Sequence, residues 1–260
     1  MKPLLAICLL ALLAACTTTG PVGEGARQPI SQEPAANEQR QRAKAHYELG
    51  ALYLQDGRFA VALEEARIAL GADPDYAPAY NLLGLTHMLL DEPRLAEEYF
   101  EVALRKAPGD PEINNNYGWF LCQTGRERRA IDFFLTAARN PLYATPTKPY
   151  TNAGICSIRL KDDKAGESNL RRALQLDPTN TQALYWLADL SYRQSRTLEA
   201  RQWMSELEKV SELNAAGTWL ALRIERKLGN RDGEARHAAQ LRRKFSTSPE
   251  LGRMLQGEYE

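Results

Sequence analysis

A pattern that returns every 34 residues governs what this chain can fold into, and its clearest copy runs from Ala77 to Asp110 as APAYNLLGLTHMLLDEPRLAEEYFEVALRKAPGD. Tyr80, Leu83 and Gly84, then Ala96, Phe100 and Ala103, fall at helical spacings on either side of a turn containing Pro93, and Pro108 closes the unit. Gly84 and Ala96 have almost no side chain, so the two predicted helices can approach closely while Tyr80 and Phe100 fill the space beside them. Pro108 lacks the N–H that a helix interior needs, so the second helix stops before it. A hairpin of this kind cannot bury both of its faces alone and requires copies of itself alongside.

Copies start at Ala43, Ala77, Pro111, Thr147, Thr181 and Ala216. The first carries Leu49, Gly50, Tyr53, Gly57, Ala62, Ala69 and Pro74; the third Tyr117, Gly118, Gly125, Ala130, Phe134 and Ala137; the fourth Tyr150, Gly154, Leu170, Ala173 and Pro178. The fifth keeps Leu187, Ala188 and Ala200 but has Glu212 where Pro is expected, and the sixth, with Trp219, Leu222 and Ala235, is the weakest. The order of small, aromatic and Pro positions resembles the tetratricopeptide repeat, whose arrangement is an antiparallel helix hairpin. The resemblance implies an all-α fold, a right-handed superhelical solenoid of six such hairpins over residues 37–249. Residues 250–260 are expected to cap it, with Leu251, Met254 and Leu255 on the last hairpin's open face. From Pro111 to Thr147 the interval lengthens to 36 residues through Asn140–Pro149, where three prolines forbid a continuous helix. That insertion is either a spacer or a device that re-aims the second half.

At the amino end, Met1 and Lys2 precede an apolar run from Leu4 to Leu13. A permanent membrane span takes about 20 residues, so the run reads as a signal-peptide core. Leu13-Ala14-Ala15-Cys16 resembles the lipobox of bacterial lipoproteins, which implies cleavage before Cys16 and a lipid on its sulfur; an ordinary signal peptide with a chance Cys is the alternative. Thr17 follows in place of Asp, and by the family's sorting rule this implies the periplasmic face of the outer membrane. Residues 1–15 are then a signal peptide and 16–36 a lipidated Cys with a flexible tether, in which Pro21, Pro29, Pro34, Gly20, Gly23 and Gly25 show no apolar period.

Lys plus Arg and Asp plus Glu both number 33, and a general nucleic-acid binder needs a positive excess that is missing here. Charge is unevenly placed: residues 43–110 hold 6 basic against 12 acidic side chains, residues 215–245 hold 8 against 3. Solvated helix faces account for this, or the Arg242-Arg243-Lys244 end meets anionic headgroups or an acidic partner. His46, His87 and His237 lie far apart in sequence and outside any metal-ligand pattern, and no phosphate loop, G-x-S-x-G or C-x-x-C occurs. No catalytic residue, metal ligand or cofactor beyond the lipid on Cys16 is therefore expected, and the chain is not read as an enzyme. Cys122 and Cys156 lie on first helices of neighbouring repeats; helices packed about 8–10 Å apart bring facing Cα atoms into disulfide range, and the periplasm is oxidising. A disulfide is the preferred reading, with two buried thiols the alternative.

First helices line the concave surface of a tetratricopeptide stack. Reading the groove positions gives Asn81, Leu85, Met88 and Leu89, then Asn115, Trp119, Cys122 and Gln123, then Thr151, Ile155, Ile158 and Arg159, then Tyr185, Asp189 and Tyr192. The apolar middle asks for an amphipathic or extended partner, with Asn81 and Asn115 holding its backbone, unless those side chains pack inside a tightly wound stack. Asn81, Leu85, Met88, Asn115, Trp119, Ile155, Ile158 and Tyr185 are the expected contacts. Asn114-Asn115-Asn116-Tyr117-Gly118-Trp119-Phe120-Leu121-Cys122, Asn140-Pro141-Leu142-Tyr143 and Asn152-Ala153-Gly154-Ile155-Cys156 are similar to the type IV pilus biogenesis lipoproteins, the pilotins of the PilF/PilW family. That resemblance implies an outer-membrane adaptor, monomeric when free, that binds the pilus secretin subunit and promotes its localisation and multimerisation. A tetratricopeptide lipoprotein recruiting peptidoglycan hydrolases or synthases is the alternative.

Overall fold

The computed structural model describes residues 28–259, and Cys16 with the signal peptide lies outside them. Six helix hairpins follow one another in register: α1 (Glu38–Gln55) with α2 (Phe59–Ala72), α3 (Ala77–Leu89) with α4 (Pro93–Lys106), α5 (Pro111–Gln123) with α6 (Glu127–Ala138), α7 (Thr147–Arg159) with α8 (Asp163–Leu176), α9 (Thr181–Arg193) with α10 (Thr197–Val210), and α11 (Ala215–Lys227) with α12 (Arg231–Lys244). A closing helix, α13 (Pro249–Gln256), follows, and there is no strand among the described residues. Two starts depart from the repeat count because a cap sets them. Asn37 accepts from the Arg40 amide, so α1 begins well before Ala43, and Asn214 accepts from the Gly217 amide, so α11 begins at Ala215 and not Ala216.

All six first helices end in the same way. A residue with left-handed backbone follows each (Gly57, Asp91, Gly125, Lys161, Ser195 and Gly229, φ between 58° and 76°), and the next amide reaches back to a carbonyl in the last turn, as Arg126 N–H does to Leu121 at 2.9 Å. This closure reverses the chain and starts the second helix at a fixed angle. The hairpin then packs as the sequence requires: a Cβ placed on Gly84 would stand 2.9 Å from the Phe100 ring, and one on Gly118 2.9 Å from the Phe134 ring. First helices of neighbouring repeats touch one another, whereas each second helix meets the first helix of the next repeat, so the first helices form the inner wall of the superhelix.

The largest core cluster spans repeats two to four and centres on Phe100, Tyr117, Phe120, Leu121 and Phe134, with Phe100 and Phe120 ring centroids 5.5 Å apart. Within it Cys122 of α5 and Cys156 of α7 are joined as a disulfide, their Cα atoms 5.9 Å apart. The insertion between repeats three and four turns back on the stack and buries Tyr143, whose phenol burial pushes up to about 12.

The chain itself covers its last hairpin and one edge of the stack. Leu251 and Met254 of α13 pack on Trp219, Leu222 and Leu241, and the Tyr259 ring lies 5.4 Å from that of Trp219. Leu255, expected to join them, is 68% exposed because one residue beyond Met254 turns about 100° away from the buried face. At that edge the expectation of a free tether through residue 36 is corrected. Ile30–Gln32 form a short 3-10 turn; the Ile30 amide donates to Asp110 Oδ2 and the Ser31 hydroxyl to Glu112 Oε2, both at 2.8 Å, while Pro29 is buried. Ile30 packs against the buried clusters that contain Tyr76 and Ala77.

Candidate partner-binding face

The inner wall is where a solenoid of this kind offers its largest concave surface, and its side chains fall into three groups. Asn81 and Asn115, expected to hold a partner's backbone, are 2% and 1% exposed and belong to the stack itself. Asn116 Nδ2 donates to Asn81 Oδ1 at 3.4 Å, Asn115 Nδ2 to Asn116 Oδ1 at 3.2 Å, and Asn152 Nδ2 to Asn115 Oδ1 at 3.0 Å. Asn180, the N-cap of α9, extends the series by donating to Thr151 Oγ1 at 3.0 Å. This ladder fixes the register of α3, α5, α7 and α9, because any slip would strand buried amides without partners.

Ile155 and Ile158, expected to line the groove, are likewise corrected to core positions, at 3% and 6% exposure. Their cluster contains Leu170, Ala173, Leu187 and Leu190, and Gly166 of α8 leaves room for Ile158: a Cβ there would stand 2.6 Å from its Cγ1. The small residues Gly154 and Gly166 let this hairpin close tightly and draw both isoleucines into it.

What remains at the surface is concentrated in repeats two and three. Leu85, Met88 and Trp119 are half-buried, their inner sides resting on the central aromatic cluster, and Leu89 beside them is 52% exposed. Tyr185 is half-buried farther along, with its ring edge-on to Trp186 at 5.8 Å. The expected contacts thus separate into Leu85, Met88 and Trp119, which form an apolar patch with Leu89, the half-buried Tyr185 apart from them, and a scaffold of Asn81, Asn115, Ile155 and Ile158.

The sequence reading placed Arg159 and Tyr192 in the groove but did not read the stacking of arginines on aromatic faces there. Arg159 lies 5.6 Å from the Trp119 ring centre and donates to Gln123 Oε1 at 2.9 Å. Arg223 lies 4.8 Å from the Tyr192 ring centre and 5.7 Å from that of Trp219, and Arg226 lies 4.0 Å from that of Tyr259. The groove positions were read only as far as Tyr192; carried into repeat six from the observed start at Ala215, position nine is Arg223. Arginine therefore covers Tyr192 and Trp219 in the C-terminal half of the inner wall and borders the apolar patch of repeats two and three at Trp119.

The histidines serve the scaffold: His46 Nδ1 is 2.6 Å from Glu65, His87 Nδ1 is 2.5 Å from Glu92 and its ring is stacked on Tyr99, and His237 is buried in the last hairpin. Among the described residues no cluster of His, Cys, Asp and Glu could hold a metal ion, and no helix is long and apolar enough to cross a membrane. Arg242 and Arg243 at the basic end are exposed, and Lys244 pairs with Glu212 at 3.0 Å.

The tetratricopeptide repeat family profile matches residues 35–77, 47–111, 81–144 and 164–218, most of the stack just described. The chain belongs to the tetratricopeptide repeat family. It is 29% identical over 241 residues to the type IV pilus assembly protein PilF of Pseudomonas aeruginosa, covering 93% of this chain and 94% of that one. The crystal structure of PilW, a widely conserved type IV pilus biogenesis factor, superposes with a TM-score of 0.77 at 29% identity, over 83% of this chain and 99% of that one. The structure of Pseudomonas aeruginosa PilF gives 0.77 at 28% identity, over 85% and 100%. Within the repeat family this is a type IV pilus tetratricopeptide protein of the PilF/PilW group.

Proposed function

We propose that the protein is a lipid-anchored adaptor at the periplasmic face of the outer membrane, a pilotin. It binds the secretin subunit of the type IV pilus through the patch of Leu85, Met88, Leu89 and Trp119 and promotes that subunit's localisation and multimerisation. The observation that carries the reading is the half-exposed apolar patch on the inner wall of a PilF/PilW-type stack, bordered by Arg159 over Trp119 and followed along the wall by arginines over aromatic rings. An apolar segment of a secretin subunit, exposed before assembly, gains by covering it. Lipid on Cys16 would hold the captured subunit at the membrane and raise its local concentration there; the adaptor works by binding alone and takes no cofactor.

Leu89→Glu is the sharpest test, because Leu89 is the most exposed member and its loss leaves the core intact. The variant should melt like the unaltered protein, yet capture at least about tenfold less secretin and give correspondingly fewer heat-resistant multimers, a charge on an apolar contact being worth more than about 1.4 kcal/mol. Normal multimers in cells that lack the protein altogether would end the proposal. Capture of peptidoglycan hydrolases or synthases, and not of the secretin, would redirect it. Cys16→Ala should move the protein out of the membrane fraction; a variant that still sediments with membranes would show that the anchor lies elsewhere.

A further inference from the structure

The contact between residues 29–33 and the amino-terminal tips of α3 and α5 is built as a binding site for an extended chain. Asp110 is 6% exposed and divides its carboxylate: Oδ1 caps α5 by accepting from the Glu112 and Ile113 amides at 2.9 and 3.0 Å, and Oδ2 points outward to the Ile30 amide at 2.8 Å. Glu112 takes the next hydroxyl, from Ser31, and Lys44 Nζ donates to the Glu33 carbonyl at 2.8 Å. The Ile30 side chain packs against two buried clusters, one containing Tyr76 and Ala79 and the other Ala77 and Ile113. These are the elements of peptide recognition: a main-chain amide, a side-chain hydroxyl and a main-chain carbonyl read in sequence, with one apolar anchor.

Of the occupant, only Pro29 is buried. Ile30 and Ser31 are only partly buried, Gln32 is exposed, and the regular structure extends over no more than Ile30–Gln32. Beside it a cleft of about 570 Å³, lined by Pro34, Arg40, Lys44, Tyr76 and Gly109, leaves room for a longer ligand. The site is distinct from the patch proposed above: Met88 lies eleven positions along α3 from Ala77, about 16 Å at the helical rise.

We propose that this edge is a second peptide-binding site and that residues 29–33 are its internal occupant. A partner segment of the same chemistry, extended, with a branched apolar residue followed by Ser or Thr, binds by displacing them. Tethering sets the strength of the competition, since an occupant joined through Pro34–Asn37 acts at an effective concentration on the order of millimolar.

The test uses the full chain and a fluorescent peptide with the sequence of Gln28–Ala35. Ile30→Asp places a negative charge against Asp110 and Glu112 and should release the strap, so this variant should bind the peptide at least about tenfold more tightly than the unaltered protein. Adding Asp110→Asn should lose that gain, because Asn still caps a helix well but presents an amide nitrogen in place of one acceptor oxygen. Equal binding by the unaltered and Ile30→Asp proteins, no saturable binding by either, or equal binding of a scrambled peptide would overturn the proposal. A second measurement is independent of the peptide. In the Asp110→Asn protein, exchange of the Ile30 amide should accelerate at least about tenfold while the Ile113 amide keeps its rate; an unchanged Ile30 rate would also overturn it.

Discussion

Phe134→Ala should destabilise the stack by about 3–5 kcal/mol, lowering its melting temperature by about 10 °C in a chain of this size. Phe134 is fully buried, it fills the space that Gly118 leaves open, and it shares a cluster with Phe100, Tyr117 and Phe120 that joins repeats two, three and four. A cavity there cannot collapse easily, because the Asn ladder and the disulfide hold the facing first helices in register. Each repeat contacts only its neighbours, so the loss should also divide the cooperative unit, and the thermal transition should broaden or split at repeat three. Leu198→Ala, at a position 68% exposed, should cost under about 0.5 kcal/mol and serves as the reference. A Phe134→Ala protein that melts within a degree of that reference would mean that the central cluster does not carry the fold.

Loss of the Cys122–Cys156 link should rank close behind. A cross-link between positions 34 apart in sequence restricts the unfolded chain by about 3–4 kcal/mol, and a Cys122→Ala/Cys156→Ala protein forfeits that restriction while keeping the repeats. Denaturation with and without reductant separates this from a packing defect: the unaltered protein should fall to the stability of the double variant when reduced, and the variant should not respond. Two free thiols in the mass of the non-reduced protein would remove the basis of the expectation. The bond joins α5 to α7, the one pair of neighbouring repeats whose interval is lengthened by the Pro-rich insertion, so it reinforces the interface where the repeat geometry is interrupted.

The repeats were legible in the sequence because their determinants are local. Gly84 with Phe100, Gly118 with Phe134 and Gly154 with Leu170 each act within one hairpin, and they recur at the repeat spacing. The inner wall was legible only in part. Whether Ile158 faces solvent depends on how tightly its hairpin closes over Gly166, and whether Asn115 faces a partner depends on Asn152 from the next repeat; neither is a property of the helix on which the residue sits. Residues 29–33 show no period, and a Pro- and Gly-containing stretch reads as free chain; their partners lie 80 and 81 positions away. Arg223 went unread because the groove positions were followed only as far as Tyr192.

The closing helix has a consequence beyond the last hairpin. A stack of like units exposes at its end a surface made to receive another such unit, and an uncovered end would accept the first hairpin of a second molecule, head to tail, without limit. By laying Leu251 and Met254 over Trp219, α13 removes that acceptor surface. It acts as a chain terminator at the level of assembly: a protein made of repeats is kept from becoming one repeat in a filament.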